Sequence, residues 1–160
     1  MARLSPDARQ LDAPQWTVEL PTVADTEALG LELARRLRPG DLVVLSGPLG
    51  AGKTALVRGI GAGLGVRGPI TSPTFVIARV HRPLPQGRGI PLVHVDAYRL
   101  ESLDEIDTLD LETDLADAVV VVEWGEGMVE RLADRHLLVR LEPREDEARI
   151  ASGSWRGGDG

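Results

Sequence analysis

Residues 47–54 read Gly-Pro-Leu-Gly-Ala-Gly-Lys-Thr and match the phosphate-binding pattern G-x-x-x-x-G-K-[ST] at every fixed position. This pattern constrains the fold, because such a loop needs a buried strand before it and the first turn of a helix after it. Lys53 is the single lysine among the 18 lysine and arginine residues. A compact ammonium on a flexible stem suits this place better than a planar guanidinium, so residues 47–54 predict a phosphate-binding loop.

The flanking residues supply the elements that this loop requires. Residues 41–46 form an apolar run typical of a buried strand, and Leu56, Ile60 and Leu64 recur every four residues as one stripe of a helix. A chance match in a chain with 18 glycines is the alternative, which the order of strand, loop and helix disfavours. The residues expected to surround the nucleotide phosphates are Gly50, Ala51, Gly52, Lys53 and Thr54.

Apolar strands alternate with helical segments along the rest of the chain. Strands are predicted at 16–20, 41–46, 75–80, 92–95 and 118–122, with a late edge hairpin from 136–141 and 148–152. A first helix is predicted at 26–37, with Asp25 as its cap, and a third at 102–113. The second helix follows the phosphate loop and is expected to be broken by Gly61, Gly63, Gly65 and Gly68. The pattern predicts an α/β fold, a P-loop NTPase-like three-layer sandwich with a mainly parallel central sheet and antiparallel edge strands.

Two acids follow apolar strands, Asp96 after 92–95 and Glu123 after 118–122. Ligands of open α/β sheets bind beyond the carboxyl ends of the strands, so both acids should face the crevice that holds the loop. There they could work with Lys53 in catalysis, since Mg²⁺ takes one or two carboxylates and hydrolysis needs a group that orients water. The residues leave open which acid does which, and a solvated strand end or an ion pair is the alternative for each.

A hydroxyl-rich segment follows the phosphate loop at Ser72, Pro73, Thr74 and Phe75. Segments in this position can reach a γ-phosphate or its metal and change order on hydrolysis, as switch loops do. A Ser/Pro turn before a strand explains the same residues equally well. Both interpretations stay open on spacing alone.

Length and composition predict a single-domain protein of the cytoplasm. Residues 15–152 are expected to form a single P-loop ATPase domain, between a flexible segment at 1–14 and a disordered glycine-rich tail at 153–160. Cysteine is absent, and no apolar run reaches the length of about 18 residues that a membrane span needs. A net charge of −7 argues against a large nucleic-acid footprint.

Four motifs together resemble the bacterial TsaE family, the ATPase components of tRNA threonylcarbamoyladenosine biosynthesis. They are Gly-Pro-Leu-Gly-Ala-Gly-Lys-Thr at 47–54, Ser-Pro-Thr-Phe at 72–75, His-Val-Asp-Ala-Tyr-Arg at 94–99 and Val-Glu-Trp at 122–124. Their order and spacing match over about residues 16–152. The resemblance implies an ATPase that uses ATP and Mg²⁺ and acts with TsaB- and TsaD-like partners. It would contact tRNA only indirectly, through the complex with these partners, and no membrane would be involved.

The resemblance also implies a role for individual residues. Thr54 and Glu123 look like the Mg²⁺ ligands, and Asp96 looks like the acid needed for hydrolysis. Residues 72–75 look like the switch-type loop. Thr26 and Arg149 fall where the family holds the adenine side of the nucleotide.

Two other functions remain open at this stage. A small-molecule phosphotransferase would need an arginine-bearing lid. Residues 82–91 carry Arg82 and Arg88, but their three prolines make this segment a poor lid. A nucleotide-gated scaffold would hydrolyse ATP only incidentally. For the ATPase, turnover alone is expected to be slow, because no arginine is obviously placed as a finger and a partner can complete the site.

Overall fold

The computed structural model describes residue 11 and residues 13–47, 52–66, 78–96, 117–123, 136–143 and 148–156. Within these ranges, strands and helices alternate as far as α2, and five strands follow. In chain order they are β1 (Gln15–Leu20), α1 (Val23–Ala34), β2 (Leu42–Ser46), α2 (Lys53–Leu64), β3 (Ala78–His81), β4 (Leu92–Asp96), β5 (Val119–Glu123), β6 (His136–Pro143) and β7 (Arg149–Arg156). The predicted helix at 102–113, the first residues of the strand predicted at 75–80, and Gly68 lie outside the described residues.

The described strands form one sheet in the order β1-β7-β6-β2-β5-β4-β3. Strands β6, β2, β5 and β4 are parallel to one another, whereas β3, β7 and β1 join in antiparallel fashion. This arrangement confirms the predicted α/β fold with a parallel centre and antiparallel edges. The predicted edge position of the hairpin is wrong, because β6 pairs with β2 and β1 covers β7.

Both faces of the central strands are buried. Val43 and Val121 point into the same core as Leu56 and Ile60 of α2. The alternate side chains of these strands are buried on the other face, Leu42 at 3% and Val44 at 0% exposure. Burial on two faces explains why the strands read as continuous apolar runs rather than as alternating ones.

Helix α1 begins and ends three residues earlier than predicted. Its N-cap is Thr22 rather than Asp25, and its last residue is Ala34. The Thr22 hydroxyl accepts the Asp25 N–H at 3.2 Å, while Asp25 Oδ2 accepts the Thr22 N–H at 2.9 Å. This reciprocal capping box satisfies two N–H groups at the start of the helix, which is why the helix begins after Thr22.

Helices α1 and α2 pack through glycines. Gly30 of α1 lies against Leu56 and Gly59, and Gly63 of α2 lies against Ala34, so the two helices run in the same general direction. The prediction that Gly61 and Gly63 break α2 is wrong, because the helix continues to Leu64 and ends at Gly65 with φ 75°. Gly63 permits a close approach between helices, and only Gly65 takes a left-handed conformation at the helix end.

The two ends of the described chain join the sheet. Leu11, within the segment predicted to be flexible, is buried in the core, and the Pro14 carbonyl accepts the Trp155 N–H at 3.0 Å. Residues 153–156 belong to β7, so their assignment to a disordered tail is wrong. A Cβ on Gly153 would lie 2.2 Å from the Trp16 ring, which shows how closely the indole packs on this strand. Neither described helix has the length and hydropathy of a membrane span.

Candidate phosphate-binding site

The two ends of the predicted loop have the expected structure. Gly47 follows β2 directly, and Gly52 is the N-cap of α2 with φ 96° and ψ 17°. This left-handed conformation is one that glycine adopts without steric cost. A glycine cap leaves the first N–H groups of α2 without a capping side chain, and such groups attract anions. Gly50 and Ala51 lie outside the described residues.

The side chain of Lys53 lies back across the mouth of this loop. Only 6% of Lys53 is exposed, and its Nζ donates to the Gly47 carbonyl oxygen at 2.9 Å. A lysine is almost never this buried unless its charge is compensated. The hydrogen bond to Gly47 holds the Lys53 ammonium at the end of β2.

Thr26 and Arg149 lie beside the same helix start. A Cβ on Gly52 would stand 3.0 Å from Arg149 Nε and 3.8 Å from Thr26 Cγ2. Arg149 opens β7 opposite Leu20, and Thr26 is buried in the first turn of α1. The structure thus brings together residues that the sequence separates widely and that the resemblance assigned to the nucleotide. Thr54, the next residue of α2, is partly buried.

The strand register places both predicted acids at the edge of the sheet where β2 also ends. Asp96 is paired with Glu123, and Glu123 is also paired with Leu45 near the end of β2. Three neighbouring parallel strands therefore end together at the edge of the sheet from which the loop departs. Glu123 is buried, with 7% of the residue exposed. Residues 72–75 lie outside the described residues.

Glu123 has a partner that sequence reasoning did not single out. His94 Nε2 lies 2.6 Å from Glu123 Oε2, and His94 is fully buried. His94 is paired with Val121 and so lies diagonal to Glu123 across the β4–β5 ladder. The sequence did contain a signal for this contact, because His94 is a polar residue inside an apolar strand. It stands two positions before Asp96, and alternation along a strand places such residues on the same side.

The side chains of Thr54 and Glu123 are of the kind that bind Mg²⁺ together with phosphates and waters, rather than a complete set of protein ligands. Among the described residues, no three His, Asp or Glu side chains form a group that could hold a metal ion. Mg²⁺ does not require such a group, because it is usually bound by one or two carboxylates with substrate phosphates and waters. A hydroxyl at Thr54 and a carboxylate at Glu123 are donors of that kind.

Arg88 is engaged away from this site. Its Nη1 donates to the Ala34 carbonyl, and its Nη2 donates to the Leu37 carbonyl at 3.0 Å. Ala34 is the last residue of α1 and Leu37 lies three residues beyond it, whereas the N-terminal end of α1 approaches Gly52. The guanidinium neutralises a helix C-terminus, a structural role that does not suit a lid arginine.

The order of strand, glycine loop and helix at the carboxyl end of a parallel strand, with acids ending the neighbouring strands, defines a P-loop-type α/β protein. The family model described as "Threonylcarbamoyl adenosine biosynthesis protein TsaE" matches residues 20–151. The chain therefore belongs to the TsaE family, which confirms the resemblance found in its motifs.

Individual relatives agree with this assignment. A protein of Mycobacterium tuberculosis named "tRNA threonylcarbamoyladenosine biosynthesis protein TsaE" is 56% identical over 160 residues, covering 96% of this chain and 95% of its own. One of Streptomyces coelicolor with the same name is 64% identical over 115 residues, covering 71% and 76%. The crystal structure of YdiB from Bacillus subtilis superposes with a TM-score of 0.70 at 26% identity, covering 99% of this chain and 90% of that chain.

Proposed function

We propose that this protein binds and hydrolyses ATP with Mg²⁺ as a component of the machinery that makes threonylcarbamoyladenosine in tRNA. In this proposal it acts in the cytoplasm with TsaB- and TsaD-like partners and reaches tRNA only through their complex. One observation carries the proposal: a TsaE-family chain holds a buried Lys53 across a glycine loop, next to the strand that ends in Glu123.

The side chains divide the work in the following way. Backbone N–H groups of Gly50 to Thr54 surround the phosphates, and Lys53 meets the β/γ oxygens. The Thr54 hydroxyl and the Glu123 carboxylate would hold Mg²⁺, which would supply positive charge against the phosphates. Asp96 orients the attacking water.

The remaining predicted residues complete the proposed site. Thr26 and Arg149 line the adenine side, for which their place beside Gly52 is the support. Residues 72–75 act as a loop that senses the γ-phosphate.

Charge supports a partner for the tRNA step. A net charge of −7 disfavours wide contact with a phosphate backbone, so the partners provide that contact. Hydrolysis by the isolated protein is slow in this proposal, because a partner completes the catalytic arrangement. Arg88 does not supply the missing cation, since it is bound at the far end of α1.

Reconstitution tests the proposal. The protein is combined with TsaB- and TsaD-like partners, unmodified tRNA and ATP, and modified adenosine and free phosphate are measured. We expect modified tRNA and released phosphate, with both lost in Lys53→Ala. A phosphorylated small-molecule acceptor would instead identify a phosphotransferase. Full modification by an Asp96→Ala variant that no longer hydrolyses ATP would identify a nucleotide-gated scaffold.

A further inference from the structure

The contact between His94 and Glu123 is short, buried and held by regular structure. Their side-chain atoms Nε2 and Oε2 are 2.6 Å apart, with 0% and 9% of the two side chains exposed. Both residues lie in parallel strands whose register is fixed by neighbouring pairs on either side. His94 lies inside β4 and Glu123 is the last residue of β5, so the pairing of these two strands sets the positions from which the two side chains meet.

Only one direction of hydrogen bonding suits an ionised Glu123. A carboxylate has acceptor atoms alone, so the proton of the bond must be on His94 Nε2. The other ring nitrogen, Nδ1, has no hydrogen-bond partner among the described residues. Within the described part of the chain, the Glu123 bond is therefore what orients the imidazole, and the imidazole in turn orients the carboxylate.

We propose that His94 is a positioning residue for Glu123, an inference that rests on the proposed ATPase function. By donating to Oε2, His94 restricts rotation of the carboxylate, and Oε1 would remain available to a magnesium ion or to one of its waters. Magnesium demands near-ideal octahedral geometry, so a carboxylate that is already oriented binds it better than one that must be ordered. His94 touches neither nucleotide nor metal and acts through Glu123.

Two amide variants separate this role from simple core packing. In His94→Gln the amide nitrogen can reach the place of Nε2 and donate to Glu123. In His94→Asn the side chain is one methylene shorter and its amide falls near the place of Nδ1. His94→Phe keeps a ring of similar size without any donor, and it serves as the second non-donating variant if the shorter side chain prevents folding.

The measurement is the affinity for ADP by calorimetry, once in excess Mg²⁺ and once in EDTA. The ratio of the two affinities is the gain due to the metal. For His94→Asn and His94→Phe we expect this gain to fall about 10- to 100-fold, the usual effect of losing the partner of a metal ligand. His94→Gln should keep most of the gain, and the affinity in EDTA should change little in all three variants.

Other outcomes have distinct meanings. If the wild-type protein shows no metal-dependent gain, the proposed function fails. If the wild type shows the gain and the folded non-donating variants keep it, the role of His94 is refuted while the function stands. An equal loss of ADP affinity in Mg²⁺ and in EDTA would also refute the role of His94, because such a loss would indicate general damage to the site.

A double-mutant cycle provides the second test. If His94 acts through Glu123, then His94→Asn should cause no further loss of the metal-dependent gain in a Glu123→Ala background. A further loss as large as that seen in the wild-type background would show that His94 acts independently, which overturns the inference.

Discussion

Gly59 of α2 lies directly against the backbone of α1, where a Cβ on it would stand 2.0 Å from the Glu27 carbonyl oxygen. Gly30 approaches α2 in the same way, at 2.3 Å from the Leu56 carbonyl oxygen. Backbone atoms inside a helix cannot rotate aside as the end of a side chain can. The distance between the helices, and with it the place of Thr26 beside Gly52, therefore depends on these glycines.

We expect Gly59→Ala to destabilise the protein. Helix propensity alone would favour alanine by about 1 kcal/mol, but a side chain at this contact must push the helices apart. Overpacking of this kind costs about 1–3 kcal/mol, which denaturant unfolding would measure. Ala62→Ser, at an exposed position of the same helix, is the control and should stay within about 0.5 kcal/mol of wild type. A stabilised Gly59→Ala protein would contradict the packing argument.

Gly52→Ala should impair both stability and ATP binding. A φ of 96° strains any residue with a Cβ, at a cost of roughly 1–2 kcal/mol. The new Cβ would also meet the Arg149 side chain, 3.0 Å away at Nε. We expect that adding Arg149→Ala does not restore stability, because the strain is in the backbone. Recovery in the double variant, measured by thermal unfolding, would show that side-chain crowding was the cause instead.

Lys53→Ala should remove tight ATP binding or turnover. Loss of a charged group that stabilises transferring phosphate costs about 3 kcal/mol or more, which corresponds to a factor of 10² upward in rate. Lys53→Arg should also be defective, because the planar guanidinium does not fit the position of a buried ammonium bound to Gly47. Phosphate release in the reconstituted system measures this, and wild-type turnover by Lys53→Ala would disprove the proposed site.

Arg88→Ala should lower stability and spare ATP turnover. The variant loses hydrogen bonds to the carbonyls of Ala34, at the end of α1, and of Leu37, just beyond it, so we expect a loss of about 1–2 kcal/mol in unfolding free energy. Arg88→Lys keeps the positive charge but lacks the two terminal nitrogens of the guanidinium, so its stability should lie between those of the wild type and Arg88→Ala. Unchanged stability together with a large loss of turnover would instead support an arginine lid.

Local chemistry made much of this molecule predictable. The loop at 47–54 carries its own signature because phosphate binding needs fixed backbone conformations and a lysine at fixed spacing. Strands β2, β4 and β5 were predictable because burial on two faces demands continuous apolar runs. Asp96 and Glu123 followed from those strands, since parallel strands end at one edge.

Other features were not predictable because they depend on distant partners. The start of α1 was misplaced because Thr22 and Asp25 both suit a cap, and only their reciprocal hydrogen bonds decide between them. Gly63 was read as a helix breaker because its close contact with Ala34 is invisible in its own segment. The contacts of Arg88 with the Ala34 and Leu37 carbonyls could not be predicted, because about 50 residues separate them in the chain.

The sequence by itself determined the family of this protein, because the glycine-rich motif and the strand-terminal acids are encoded by residues close together in the chain. Tertiary structure alone decided that His94 meets Glu123, that Arg149 and Thr26 meet Gly52, and that β1 covers β7. Each of these contacts joins segments separated by intervening elements. Their geometry is therefore set by strand order and helix packing, which no short stretch of residues specifies.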